Sequence, residues 1–237
     1  MLTLYQFEIS PFCDKIRRVL HVKRVPYRTH EVGLIEAQMG YRKVNPVGTV
    51  PTIVEDDGTV VADSTDIAYH LERRHPTPPL IPSDPRERAL VHILEDWADE
   101  SLYFYEVRLR FGIAHNRART LAKLLQQESS VVRAVAPMLA PLAIGQQLKG
   151  QGIGRRSDAQ VLADLDRQLD ALAALLTGRD YLVGAALTLA DIAVFAQLVA
   201  IRDSTEGGAA VAARREVDAF MDRVDQATRP VAATRAA

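Results

Sequence analysis

Ser10-Pro11-Phe12-Cys13 stands where a short apolar run, Leu2 to Phe7, gives way to a helical pattern. Ser10 suits an N-cap, because its hydroxyl accepts from the free N–H groups of a first turn. Pro11 suits the first helical position, where no N–H is needed and φ is already right. A hydroxyl, unshielded N–H groups and the positive end of a helix dipole thus converge just after a strand, which favours an anion. The plainer alternative is a well-capped helix and nothing more. Cys13 lies one turn in, at the edge of the helix's apolar stripe. It is either the second half of a redox motif whose first half is serine, or a small buried hydrophobe, as isolated cysteines more often are. Asp63-Ser64 opens another helix, where unpaired N–H groups bind a carboxylate as readily as a capping side chain. The glycines spaced from Lys149 to Arg156 resemble a phosphate loop, but they follow a helix and lack the Gly-Lys-Ser/Thr ending. That segment is expected to be a loop with a basic end. One cysteine excludes an internal disulfide and a cysteine-rich metal site, and the six histidines show no ligand spacing, so no metal is expected.

The elements that must position these residues begin with a strand over Leu2 to Phe7 and a helix with Phe12, Ile16, Val19 and Leu20 on one stripe. A second strand spans Pro26 to Val32, and Leu34 to Lys43 is a weak helix or loop. Turn residues crowd Asn45 to Pro51. Strands Thr52 to Glu55 and Thr59 to Ala62 flank the hairpin signal Asp56-Asp57-Gly58. The helix opened by Asp63-Ser64 carries Ile67, Ala68 and Leu71 and stops at His75-Pro76. The order β-α-β-α-β-β-α over residues 1–75 is a parallel unit followed by a hairpin and a covering helix. Residues 76–85 hold five of the twelve prolines, a stiff linker and the expected domain boundary. Beyond it, 86–230 is expected to be all-helical. One long helix covers Arg86 to Arg110 and a second Arg117 to Ala136, with Pro137 and Pro141 bending or breaking the chain beyond it. A third covers Asp158 to Leu176. Thr188 and Asp191 form a capping box, with Leu187 and Ile192 as its hydrophobic staple, ahead of an apolar core helix ending at Ile201. Glu216 to Thr228 is a last amphipathic helix, and the tail from Arg229 is expected to fray.

At 237 residues the chain makes one large or two small domains, and 48% hydrophobic with 25% charged residues is ordinary for a soluble protein with a real core. A net charge of −1 gives no electrostatic case for nucleic acid or membrane as a partner. The N-terminus lacks the basic stretch of a signal peptide. The longest apolar tract, Val131 to Gly145, contains Arg133 and both prolines and is expected to be too short to span a bilayer. A cytoplasmic location is the expectation.

Taken together, Ser-Pro-Phe-Cys at the first helix, Val50-Pro51 before the third strand, Asp63-Ser64 at the next helix and an all-helical second half resemble the glutathione transferases. The resemblance implies an α/β thioredoxin-like N-terminal domain over 1–75, an all-α C-terminal domain, glutathione as co-substrate and a homodimer. Ser10 matches the serine of the plant tau-type enzymes, whose hydroxyl donates to the glutathione sulfur; omega-type relatives carry cysteine there. Val50 matches the residue whose backbone pairs with the cysteinyl part of glutathione, Pro51 the family's cis proline, and Asp63-Ser64 the pair that holds the γ-glutamyl end. Phe12, Tyr105 and Arg108, with Tyr103, Phe104 and Phe111 around them, match the region that lines the pocket for a small hydrophobic electrophile. A thiol of pKa about 8.5 is only a few per cent ionised at neutral pH. A hydroxyl donor and a helix N-terminus both lower that value, so Ser10 is implied to stabilise glutathione thiolate. Two departures stand out. Leu34, Ile35 and Glu36 occupy the place where some classes carry a lysine, and Leu148 to Ser157 with Tyr181-Leu182-Val183-Gly184 resembles metaxin-like and failed-axon-connection-like proteins. A non-enzymatic binding or assembly protein of the same fold is therefore one alternative, and a thiol-disulfide oxidoreductase using Cys13 is another.

Overall fold

The computed structural model describes residues 1–230 and 234–235. β1 (Leu2–Gln6) is buried at Leu2 and Leu4 and lies at the centre of the sheet. α1 (Pro11–Val22) carries the chain to β2 (Tyr27–Glu31), which runs parallel to β1 with Leu4 opposite Thr29. α2 (Leu34–Met39) and a tight turn over Tyr41–Lys43 lead to the hairpin of β3 (Thr52–Val54) and β4 (Val60–Ala62). β3 pairs antiparallel with β1, and α3 (Ser64–Arg74) packs over this side of the sheet. The strand order is β4-β3-β1-β2, with a two-residue β5 (Thr234–Arg235) parallel to β2. This is the expected thioredoxin-like arrangement. The tail expected to fray instead returns to β2, which would otherwise present an unpaired edge; its residues 231–233 and 236–237 lie outside the described residues.

The helical half opens with α4 (Pro85–Trp97), capped by Asp84. A wide π turn (Ala98–Leu102), α5 (Tyr103–Val107) and a second π turn (Arg108–Gly112) continue it, so 85–112 is one rod. The second expected helix is placed differently. α6 (Ala114–Leu124) ends early, and α7 (Ser130–Gln151) starts afresh because Ser129 caps it through the Val132 N–H at 3.3 Å. α7 continues through Pro137 and Pro141, which neither end it nor divide it. The carbonyls those prolines leave without donors belong to Arg133 and Pro137, both exposed residues. As a result the apolar tract is longer than expected. α7 has 22 residues and a mean hydropathy of 1.2 over its most apolar window, long and apolar enough for a membrane span by length and composition. Val131, Val135, Met138, Leu139 and Leu142 form an outward apolar stripe on it. The expected glycine loop is helical up to Gln151; Gly152, at φ 111°, ends α7 before a short turn over Ile153–Arg155.

α8 (Asp158–Leu176) begins at the box Ser157/Gln160. α9 (Leu189–Arg202) is buried almost all round, followed by α10 (Thr205–Ala212) and α11 (Arg215–Thr228). α9 packs against α1, α4, α10 and α11, so Leu4, Ile16 and Ile53 of the sheet half share one core with Leu165, Phe195 and Val217 of the helical half. Arg18 of α1 lies over the Phe195 ring at 4.2 Å, a cation–π contact across the same boundary.

Candidate functional site

Ser10 caps α1 as its sequence predicts. It is extended (φ −77°, ψ 126°), and its Oγ accepts from the Cys13 N–H at 3.4 Å. A hydroxyl that accepts here keeps its own proton for another acceptor. Cys13 is fully buried, and burial above all pushes its thiol up to about 11, although the Ser10 hydroxyl acts in the other direction. A thiol so placed is a packing group with a negligible thiolate fraction at neutral pH.

Val50–Pro51 is a cis peptide, as is Thr77–Pro78 in the linker. The loop before Val50 is held from inside. The buried Tyr41 hydroxyl lies 2.7 Å from Thr52 Oγ1 and 3.0 Å from the Thr49 carbonyl, and Asn45 Nδ2 donates to the same carbonyl at 2.8 Å. Asp63 caps α3, accepting from Thr65 N–H at 2.8 Å and Asp66 N–H at 3.4 Å. It does so at φ 74°, a conformation that costs a non-glycine residue about 1–3 kcal/mol and that gathers at functional positions. Ser64 is buried, and its hydroxyl donates to Asp99 Oδ2 at 3.3 Å.

Asp99 belongs to a buried charge cluster that periodicity does not reveal. Lys15 Nζ of α1 lies 2.6 Å from Glu95 Oε1 and 2.5 Å from Asp99 Oδ2, and Thr65 Oγ1 donates to Glu95 at 2.7 Å. One ammonium thus faces two carboxylates, and Asp99 Oδ1 is buried with no hydrogen-bond partner. Burial pushes the Asp99 carboxyl up to about 6 against the pull of Lys15. Burial also opposes the charge on Lys15, but the two carboxylates outweigh it and raise its pKa. The cluster ties the start of α3, where Ser64 sits, to α1 and α4. The sequence signal for it is slight: charged residues directly beside the apolar stripe, Lys15 next to Ile16 and Glu95 next to Leu94.

Of the aromatic group, Phe12 stacks on Tyr103 at 4.9 Å between ring centroids, and Tyr103 on Phe104 at 5.1 Å. Tyr105 is half-buried against the core, and Arg108 pairs with Asp158. Ser10 lines a cavity of about 440 Å³ between the β1–α1 loop and the helical half, with Arg110, Lys123, Ala196 and Arg202 on the far wall. A second cavity of about 330 Å³ adjoins it through Glu8, Ile9 and Lys123. Its wall includes Leu34, at the position where a lysine is absent; the Leu34 N–H donates to Glu128 Oε1 at 2.6 Å. Among the described residues no cluster of three or more His, Cys, Asp or Glu side chains is arranged for a metal ion.

Known proteins share this arrangement. The model of the glutathione S-transferase N-terminal domain matches residues 4–79, and that of the C-terminal domain matches 130–223. FtsZ-localized protein A of Caulobacter vibrioides is 28% identical over 202 residues, 84% of this chain and 76% of that protein. Glutathione S-transferase Z2 of Arabidopsis thaliana is 36% identical over 92 residues, which is 38% of this chain and 41% of that protein. Among solved structures, FzlA from C. crescentus superposes with a TM-score of 0.68 at 25% identity, over 97% of this chain and 90% of that one. The β-etherase LigF of Sphingobium sp. strain SYK-6 has a TM-score of 0.69 at 24% identity, over 94% of each chain, and shares the fold. With both halves matched in the family's own order, sheet domain first and helical domain second, this chain belongs to the glutathione transferase family.

Proposed function

We propose that this protein is a glutathione transferase in which Ser10 holds glutathione as its thiolate for attack on a small electrophile. The observation that carries this is the partly exposed Ser10 hydroxyl, at the N-terminus of α1 and at the wall of a cavity, with a proton to donate. Val50 and Pro51 would then face the cysteinyl part of glutathione, and Asp63 with Ser64 the γ-glutamyl end. Phe12 and the aromatic residues of α5 would receive the apolar body of the electrophile. The reaction needs no metal. A homodimer in the cytoplasm is part of the same proposal. Retention on immobilised glutathione together with turnover of 1-chloro-2,4-dinitrobenzene tests it.

A second proposal, favoured by the likeness to FtsZ-localized protein A along 84% of the chain, is a binding or assembly protein of the same fold. Retention without turnover would select it. A disulfide oxidoreductase relying on Cys13 has the buried, un-ionised thiol against it.

A further inference from the structure

The cavity at Ser10 contains a buried donor with nothing to donate to. Arg110 is 3% exposed. Its two Nη atoms each reach the Ile9 carbonyl at 3.3 Å, and its guanidinium pairs with Glu106. Its Nε–H has no acceptor, since Asp203 Oδ2 stands 3.8 Å away, beyond hydrogen-bond reach. Buried donors of this kind are rare enough to need a reason. The surroundings supply one. The cavity wall carries five guanidinium or ammonium groups, of which Arg17 is paired with Asp14 and Arg18 with Asp14 and Asp225. Lys123 uses Asp203 at 2.5 Å, and Arg202 has Asp218 only at 3.7 Å. The first turn of α1 adds the positive end of its dipole to the same space.

We propose that this cavity is a subsite for a carboxylate carried by the electrophile, so that the substrate class is an anionic electrophile rather than a purely apolar one. The proposal rests on Ser10 holding a glutathione thiolate beside the cavity. On an aryl chloride probe the sulfur electron pair forms the C–S bond and the C–Cl bond breaks, its pair leaving as chloride. The thiol proton, released when the thiolate forms, passes to solvent. The carboxylate takes no part in bond changes. It accepts from Arg110 Nε and neighbouring cations, a charge-assisted contact that a neutral amide of the same shape makes poorly.

The test has two arms on the full chain. Calorimetric titration without glutathione compares 3,5-dinitrobenzoate with 3,5-dinitrobenzamide. Turnover with glutathione compares 4-chloro-3,5-dinitrobenzoate with its amide. The expected result is at least tenfold tighter binding of the acid and a similar preference in kcat/KM, with both preferences falling at least threefold in Arg110→Gln. Because Arg110→Gln strips Glu106 of its buried partner, Lys123→Gln, at the more exposed rim, carries the test if that variant fails to fold. Acid preference in titration with no turnover of either chloride supports the anion site and overturns the chemistry assigned to Ser10. Turnover of both chlorides at equal kcat/KM, with equal binding of acid and amide, leaves the transferase standing and overturns the anion site.

Discussion

On the proposed role of Ser10, Ser10→Ala would remove one hydrogen bond to a charged sulfur and leave the other proposed glutathione contacts in place. Such a bond contributes roughly 1.5–3 kcal/mol, which is about ten- to a hundredfold in rate. Turnover should fall by that factor while calorimetric affinity for glutathione stays nearly constant; full activity in the variant would reduce Ser10 to a helix cap. Asp99 gives a second residue-scale test, through pH. An exposed aspartate titrates near 3.9, whereas this one is held up to about 6 by burial. Between those values the folded chain keeps a proton that the unfolded chain has released, so this group's contribution to stability declines as pH rises from 4 to 6. In Asp99→Asn the slope of Tm against pH over that window should become more positive than in the wild type, and parallel profiles would place the titration elsewhere. Ser10 and Ser64 were legible in the sequence because each sits at a helix start with its own capping grammar. Lys15, Glu95 and Asp99 were not, since their partners lie 80 and 84 residues apart along the chain and only the fold brings them together.

The capping box of α9 shows how an element depends on a few side chains. Asp191 accepts from the Leu182 N–H at 2.8 Å, the Thr188 N–H at 2.7 Å and the Thr188 hydroxyl at 2.7 Å, all buried. Asp191→Ala strands these donors at about 1–3 kcal/mol each. Thermal denaturation should show Tm lowered by roughly 5 °C or more, with glutathione affinity of the folded fraction unchanged. Altered kinetics at normal stability would mean the box does more than start a helix. α10 makes the opposite point about legibility. Glycine is a poor helix former, yet the helix passes through both Gly207 and Gly208. A methyl group on Gly207 would collide with the Ile201 carbonyl, so the glycine is there for close approach to the end of α9. Gly207→Ala should therefore destabilise by about 1–3 kcal/mol, as overpacking does, although alanine is the better helix former; a rise in Tm would overturn this. The break at 125–129 has one local mark, the Ser129 cap, and one distant contact that periodicity does not reveal, Glu128 accepting from the Leu34 N–H.

At the scale of the whole molecule, the order of elements and the two family domains could be read along the chain, because proline and glycine punctuate it and the period changes from two to 3.6 after the linker. What the punctuation hid is that the halves are not separable bodies. The proline-rich linker suggests independence, but its Leu80 is buried, its carbonyl accepts from the Leu189 N–H at 2.9 Å, and α1 packs directly on α9. A single core makes opening a shared event. Amides that exchange only through global unfolding report one free energy wherever they lie. The amides of Ile53 in β3 and Ile201 in α9 should therefore exchange at matching slow rates. A ligand held only by the sheet half should slow both by the same factor, about a hundredfold when present at a hundred times its Kd. Binding on one side of this protein is felt as rigidity on the other.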